Sequence, residues 1–444
     1  MFRYVLNLIY VLLILSVSPV LIYRRWAQGK YRQGWSQKLW GNLPARQGDA
    51  PCLWFHAVSV GEVLQLEPIV ASWKQNHPEW DIVISTTTNT GMQVAQDKFP
   101  DCLLCYCPLD FTWAVRKAFD RIRPTGFVLV ELELWPNLIA EAHRRGVKSA
   151  IINGRLGEKS FGGYSRIRKL ISPLLEPFDC IAVQNEVYKK RFESLGANAN
   201  TVHDVGSMKF DRLMTDRHGP AVCELREAFG LDEKSLVFMA GSTHAPEEQI
   251  VLNVWKQLRQ SIPELRLIIA PRHAERFDEV AQLIQQQGCN LIRRSEVSPL
   301  VARENFSVSN LQNTVLLLDT LGELSACWGL AQIAYVGGTL TNRGGQNMME
   351  PSAYGCAVLL GPNTWNFADV VRDLCERNAC LIVKNEANLL ESVDNIIRGS
   401  RLRQRVGEAA SKYVLSKRGA TQKTIVHLKQ ILNIPSEAIS SRAA

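Results

Sequence analysis

Short apolar runs alternate with amphipathic helical stretches along this chain, and the alternation lapses once and then restarts. In the first half the runs fall at residues 53–56, 82–86, 103–107, 127–130, 149–152 and 180–183. Between them lie stretches such as residues 63–73, where Leu66, Ile69, Val70 and Trp73 recur at helical spacing. Such alternation implies a parallel sheet covered by helices on both faces, since each parallel strand must be reached by a crossover. A polar, Gly-Pro-containing segment at residues 213–222 interrupts the pattern and reads as a linker. The runs resume at 236–239, 267–270, 291–292, 315–318, 333–336, 357–360 and 381–383, and helical stretches at 398–415 and 421–432 close the chain. The expectation is an α/β chain of two doubly wound, Rossmann-like domains, 26–212 and 223–434, facing a cleft, with ligands beyond the carboxyl ends of the strands. Residues 435–444 read as a loose tail.

With 444 residues the chain is long enough for two separate cores. Its formal charge of +8 favours an anionic partner. Aromatic and basic residues are not interleaved in the manner of nucleic-acid binding, so nucleic acid is not the expected partner. The eleven cysteines have no repeated spacing. Cys102, Cys105 and Cys107 lie in an apolar run with no nearby histidine to complete a zinc site, so they read as buried thiols in a reducing compartment. A GxGxxG or Walker loop is missing, as is an Asp-x-Asp pair, which argues against dinucleotide, triphosphate and metal-pyrophosphate enzymes of those types.

The N-terminus carries a nearly uncharged run at residues 4–23, about the length that crosses a bilayer core as a helix. Arg24, Arg25, Lys30, Arg32 and Lys38 follow it, against Arg3 in front, which orients the bulk of the chain to the cytoplasmic side. Residues 1–25 are therefore expected to be a single-pass anchor. A cleaved signal peptide is the main rival, but no small-x-small site follows the run. Asn7, Ser16, Ser18 and Pro19 weaken a span, so a helix lying in the interface is the other reading.

Candidate chemistry sits at the strand ends. His56-Ala57-Val58-Ser59-Val60-Gly61-Glu62 closes the first strand, and a helix begins near Glu62. A carboxylate there can serve as a general base or simply cap the helix. After the fourth strand, Glu131 and Glu133 are spaced to point the same way in extended backbone, which crowds like charges. Lys209, in Gly206-Ser207-Met208-Lys209-Phe210-Asp211, can hold a carboxylate or phosphate, or stand solvated.

In the second half, Gly241-Ser242-Thr243-His244 precedes a helix with Glu247 and Glu248 in its first turns, where Ser242 or Thr243 can cap while free N–H groups meet a phosphate. Pro271-Arg272-His273 follows a strand directly, and an arginine there suits bidentate phosphate binding. Asp319-Thr320-Leu321-Gly322-Glu323 is another strand-turn-helix junction. In the stretch 335–355, two glycine pairs frame a loop, and Gln346-Asn347-Met348-Met349-Glu350 reads as a helix start with Asn347 and Glu350 one turn apart.

HAVSVGE, ELELWPN, INGRLGEKS, QNE, GSMKFD, GSTH, PRHAERF, DTLGEL and GGTLTNRGGQNMMEP, in that order and spanning the chain to about residue 430, resemble the 3-deoxy-D-manno-octulosonic acid (Kdo) transferases of lipopolysaccharide synthesis. The resemblance implies a GT-B glycosyltransferase fold and a metal-independent, inverting transfer without a cofactor. It implies CMP-Kdo as donor, the tetraacylated lipid A precursor as acceptor, and a place on the cytoplasmic side of the inner membrane. By motif, it implies that Glu62 is the general base and that Glu131 and Lys209 stabilise the transition state. Pro271, Arg272, Leu321, Gly322, Glu323, Asn347 and Glu350 are the implied CMP contacts, which makes 26–212 the acceptor domain and 223–434 the donor domain. Cations of the first half, among them Arg116, Lys117, Arg144, Arg145, Arg166 and Lys169, are candidates for the acceptor phosphates and an anionic membrane surface. Two other readings stand beside it: a membrane-associated GT-B enzyme using a UDP-sugar, and a non-catalytic lipid-binding member of the fold.

Overall fold

The structure, a computed structural model, describes residues 2–27, 33–232, 235–297 and 313–435. Two compact units divide the chain: Met1–Arg212 with Arg418–Ala444, and Leu213–Lys417.

The first unit holds β1 (Cys52–His56), β2 (Asp81–Thr86), β3 (Leu103–Tyr106), β4 (Gly126–Val130), β5 (Lys148–Gly154), β6 (Cys180–Val183) and β7 (Val202–Asp204). They form one sheet in the order β3-β2-β1-β4-β5-β6-β7, with every pair parallel. All five residues of β1 are buried, as a strand covered on both faces requires. Trp54 packs on Phe119 and Phe127, with ring centroids 5.2 and 4.9 Å away. Burying each such side chain stabilises by about 1.5–3 kcal/mol, so this cluster fixes β1 and β4 against their covering helices. The strand order reverses between β1 and β4, and ligands of open α/β sheets gather at such a reversal.

The second unit repeats the plan with β8 (Leu236–Thr243), β9 (Leu265–Pro271), β10 (Asn290–Arg293), β11 (Thr314–Leu317), β12 (Ile333–Val336), β13 (Ala357–Leu360) and β14 (Leu381–Ile382). Their order is β10-β11-β9-β8-β12-β13-β14, again with parallel pairs throughout. Here the reversal falls between β8 and β12.

The unit boundaries differ from the expected 26–212 and 223–434. The closing helix Ala420–Ile431 belongs to the first unit, where Ile425 and Leu428 join the core that contains Leu53 and Phe55. Asp211 accepts hydrogen bonds from the N–H groups of Gly419 and Thr421, both at 2.6 Å, and so caps that helix. Residues 213–222, expected as a linker, are grouped with the second unit. Arg217 donates to the carbonyls of Tyr354, Gly329 and Ala331 at 3.0, 2.9 and 2.8 Å, and the helix Pro220–Ala228 begins inside the segment. Of the expected tail, residues 436–444 lie outside the described residues.

The expected membrane span is corrected as well. A helix does run from Phe2 to Ala27, but among the described residues no helix is long and apolar enough to cross a membrane. Its first turns are committed to the first unit by polar contacts. Arg3 pairs with Glu141 at 3.2 Å, Asn7 donates to Thr112 Oγ1 at 2.7 Å and accepts from its N–H at 3.1 Å, and Tyr10 donates to Asp110 at 3.1 Å. Spacing of three and four residues puts these side chains on one face. Beyond them the helix continues unbroken, but its apolar run contains Ser16, Ser18 and Pro19 and is shorter than the ~20 residues a span needs. The side chains of Arg24 and Arg25, and Lys30 and Arg32 entirely, lie outside the described residues.

Candidate functional site

Glu62 enters from the turn after β1. Ser59 caps the helix Val60–Gln65, and Glu62 sits in its first turn. Ser59 Oγ donates to Glu62 Oε1 and the Val58 N–H to Oε2, both at 2.8 Å. This is close to a capping box, so the structural role is real. Yet the residue is only 9% exposed. Burial raises its pKa and neighbouring Glu131 adds to the rise, while the bonds from Val58 and Ser59 oppose it. A buried carboxylate pre-oriented by two donors, with its proton affinity raised by burial, has the character of a general base.

Glu131 follows β4 directly, but not in extended backbone: its φ is 61°, a left-handed conformation uncommon for glutamate. Gln65 Nε2 donates to Glu131 Oε1 at 3.1 Å, and Lys209 Nζ lies 3.8 Å from the same oxygen. Asn153, at φ 51° near the end of β5, donates to Gln65 Oε1 and accepts from the Met208 N–H at 3.2 Å. One amide pair thus holds the Glu62 helix, the β4 turn and the Lys209 loop together. Sequence reasoning assigned no role to Gln65 or Asn153. The available signals were that Gln65 lies one turn beyond Glu62 and that Asn153 stands in the INGRLGEKS segment.

Glu133 completes an acidic group. Its pKa is pushed up to about 7, by burial first and then by Glu62 and Glu131, against a 2.9 Å bond from Trp135 Nε1. The expected crowding of Glu131 with Glu133 is therefore present, and Glu62 takes part in it. His56, fully buried beside this turn, is held down to about 4 by burial and is neutral at pH 7.

The basic residues of this unit divide. Arg144 and Arg145 both bind the fully buried side chain of Glu141, and Arg145 also pairs with Asp120 at 2.7 Å. Those two have structural work to do. Glu141 is held down to about 2: burial raises it, and the bonds from Arg144, Arg145 and Arg3 outweigh that.

In the second unit the expected donor contacts follow three strands, and His244, which was not among them, follows a fourth that lies between two of these. Leu321, Gly322 and Glu323 follow β11, Pro271 and Arg272 end and follow β9, His244 follows β8, and the loop to Glu350 follows β12. The glycine turn after β12 is built on Glu247. Its carboxylate is fully buried and accepts from the N–H groups of His244, Gly338, Thr339 and Leu340 and from the Tyr335 hydroxyl, at 2.7–3.1 Å. Gly344 and Gly345 have φ of 82° and 81°, and a Cβ on Gly344 would meet the Trp365 ring at 2.4 Å. Only glycine fits there.

The expected helix at 346–350 begins later, at Met349, and is short (Met349–Ala353). Asn347 accepts from the Met349 N–H at 3.1 Å and donates to Glu350 Oε1 at 2.9 Å, so these two do share a face. Glu323 binds Arg294 at 2.7 Å and Leu321 is 78% exposed on the same turn. Arg272 is exposed and donates its Nε–H to Gln346 Oε1 at 3.2 Å. The role of Gln346 was not legible beforehand.

Two doubly wound parallel-sheet units with polar side chains gathered at the carboxyl ends of their strands define the class of two-domain α/β proteins that bind ligands at those strand ends. Sequence comparison gives the particular family. The model for "3-Deoxy-D-manno-octulosonic-acid transferase (kdotransferase)" matches residues 30–212. A 3-deoxy-D-manno-octulosonic acid transferase of Haemophilus influenzae is 32% identical over 91% of this chain and 92% of that protein. One of Chlamydia trachomatis is 27% identical over 93% of each. The chain belongs to the Kdo transferase family. Among solved structures, UDP-GlcNAc 2-epimerase from Neisseria meningitidis bound to UDP-GlcNAc superposes with a TM-score of 0.58 at 12% identity, over 85% of this chain and all of that one, a likeness of fold alone.

Proposed function

We propose that this enzyme transfers Kdo with inversion from CMP-Kdo to the tetraacylated lipid A precursor at a membrane surface. The observation that carries the reading is the cluster at the β1–β4 reversal, where Glu62, Glu131 and Lys209 are joined through Gln65 and Asn153.

Glu62 takes the proton from the attacking acceptor hydroxyl as the new C–O bond forms. Val58 and Ser59 fix its direction, and burial raises its proton affinity. The sugar passes through an oxocarbenium-like state, whose positive charge Glu131 can offset. Lys209, 3.8 Å from Glu131, holds that carboxylate in place and supplies a cation for the departing anion. CMP leaves as a phosphate, which Arg272 and the neighbouring backbone N–H groups receive. Pro271, Leu321, Gly322, Glu323, Asn347 and Glu350 frame the nucleotide, with Glu350 suited to ribose hydroxyls.

The helix Phe2–Ala27 supports membrane attachment of the interfacial kind. Leu8, Leu12 and Leu15 are 60, 58 and 61% exposed on the stripe away from the docking residues. Such a helix lies along the lipid boundary and keeps the first unit beside it.

The test is incubation of the full chain with CMP-Kdo and the tetraacylated precursor, followed by mass spectrometry. The expected product carries added Kdo mass, and the ladder counts the sugars. If no mass is added while CMP still protects the protein against heat, the acceptor is wrong. Protection by UDP and not by CMP would point to a UDP-sugar enzyme instead.

A further inference from the structure

The basic side chains around the glycine turn of the second unit exceed what one phosphate requires. Arg272 donates its Nε–H to Gln346 Oε1 at 3.2 Å, which fixes the amide with its nitrogen on the other side. That nitrogen lies 3.5 Å from His244 Nε2. An amide nitrogen only donates, so His244 Nε2 is the acceptor and the imidazole carries its proton on Nδ1. Burial, with His273 and Arg343 close by, holds His244 below its usual range against the opposing pull of Glu247. The ring is therefore a neutral, oriented donor.

Arg343 lies over the same turn. Its Cβ and the Gln346 amide nitrogen are each 3.4 Å from where a Cβ on Gly338 would be. Among the described residues its guanidinium has no ion-pair partner. The nearby carboxylates are committed elsewhere. Glu247 is saturated by its donors, and Glu248 pairs with Arg276 at 2.6 Å. The result is a patch with donors in place, where Glu247 and Glu248 are both already engaged.

The donor proposed above carries two anionic groups, the phosphodiester and the carboxylate on the anomeric carbon of the sugar. We propose that Arg343, together with His244 as oriented by Gln346, binds the sugar carboxylate, while Arg272 binds the phosphate. The arrangement makes Arg343 a specificity residue for an acidic sugar, since a neutral hexose would leave its guanidinium unmatched. The inference rests on the CMP-Kdo reading.

Two measurements on the full chain test it: the CMP dissociation constant by calorimetry, and kcat/KM for CMP-Kdo at saturating acceptor. In Arg343→Met, CMP affinity is expected to stay within about twofold of wild type, while kcat/KM falls about 10- to 100-fold, the scale of one charge-assisted pair. Arg343→Lys should fall between, keeping the charge and losing the fork. Retained CMP binding also certifies the fold. Equal losses in both measurements would make Arg343 a phosphate contact and overturn the proposal, and so would no loss in either. Absence of CMP binding by wild type would instead overturn the donor reading itself, and this inference with it.

Discussion

Tyr335 donates its hydroxyl proton to Glu247 at 2.8 Å, linking β12 to the helix after β8 across 88 residues of sequence. The same carboxylate holds the backbone of the Gly338 turn and is fully buried. Glu247→Gln puts an amide nitrogen where only an acceptor fits, leaving buried donors unmatched. The expected cost is about 2–3 kcal/mol, against about 1 kcal/mol for Tyr335→Phe. Urea unfolding followed by tryptophan fluorescence measures both. A Gln variant as stable as wild type would mean that the turn does not depend on the charge.

Glu62 has two roles that one substitution separates. Glutamine can still complete a capping box, so Glu62→Gln should leave stability within about 0.5 kcal/mol. It cannot accept a proton, so transfer should fall by about 10²- to 10⁴-fold. Undiminished transfer by the folded variant would reduce Glu62 to a helix cap.

The legible part of this molecule is what local patterning controls. The run at 333–336 is β12 as observed, and 53–56 differs from β1 by one residue. Both strands are continuously apolar because both faces are covered. The candidate residues carried by motif lie in the segments that follow strands, where the fold puts them whatever their partners. Gln65, Asn153, Glu247 and Gln346 were not legible as site residues, because their roles are set by contacts 66 to 102 residues away in sequence. The return of the helix Ala420–Ile431 to the first unit was hidden for the same reason: its cap, Asp211, is more than two hundred residues earlier.

Glu133 predicts a pH dependence of stability. Its folded pKa, about 7, stands above the ordinary 4.5. A raised carboxyl contributes stability that is fully present below the unfolded value and is lost as pH rises through the folded one. Between pH 4.5 and 8, wild type should therefore lose Tm relative to Glu133→Gln, which does not titrate. Thermal scans of both proteins at half-unit steps test this, and a constant Tm difference across that range would remove the proposed burial and crowding.

Membrane attachment through the N-terminal helix can be separated from its docking. Leu12 and Leu15 belong to the exposed stripe, and each leucine inserted in lipid contributes about 1.5–3 kcal/mol. The double variant Leu12→Lys with Leu15→Lys should therefore float with phosphatidylethanolamine–phosphatidylglycerol vesicles at least about tenfold less well than wild type. It leaves the Asn7–Thr112 and Tyr10–Asp110 contacts untouched, so its thermal stability should not change. Asn7→Ala works the other way: it loosens the helix from the first unit, exposing it to protease, while keeping the apolar stripe and vesicle binding. Unaltered flotation of the double lysine variant would assign the attachment to the basic surface instead, and raising the salt concentration would then release the wild type.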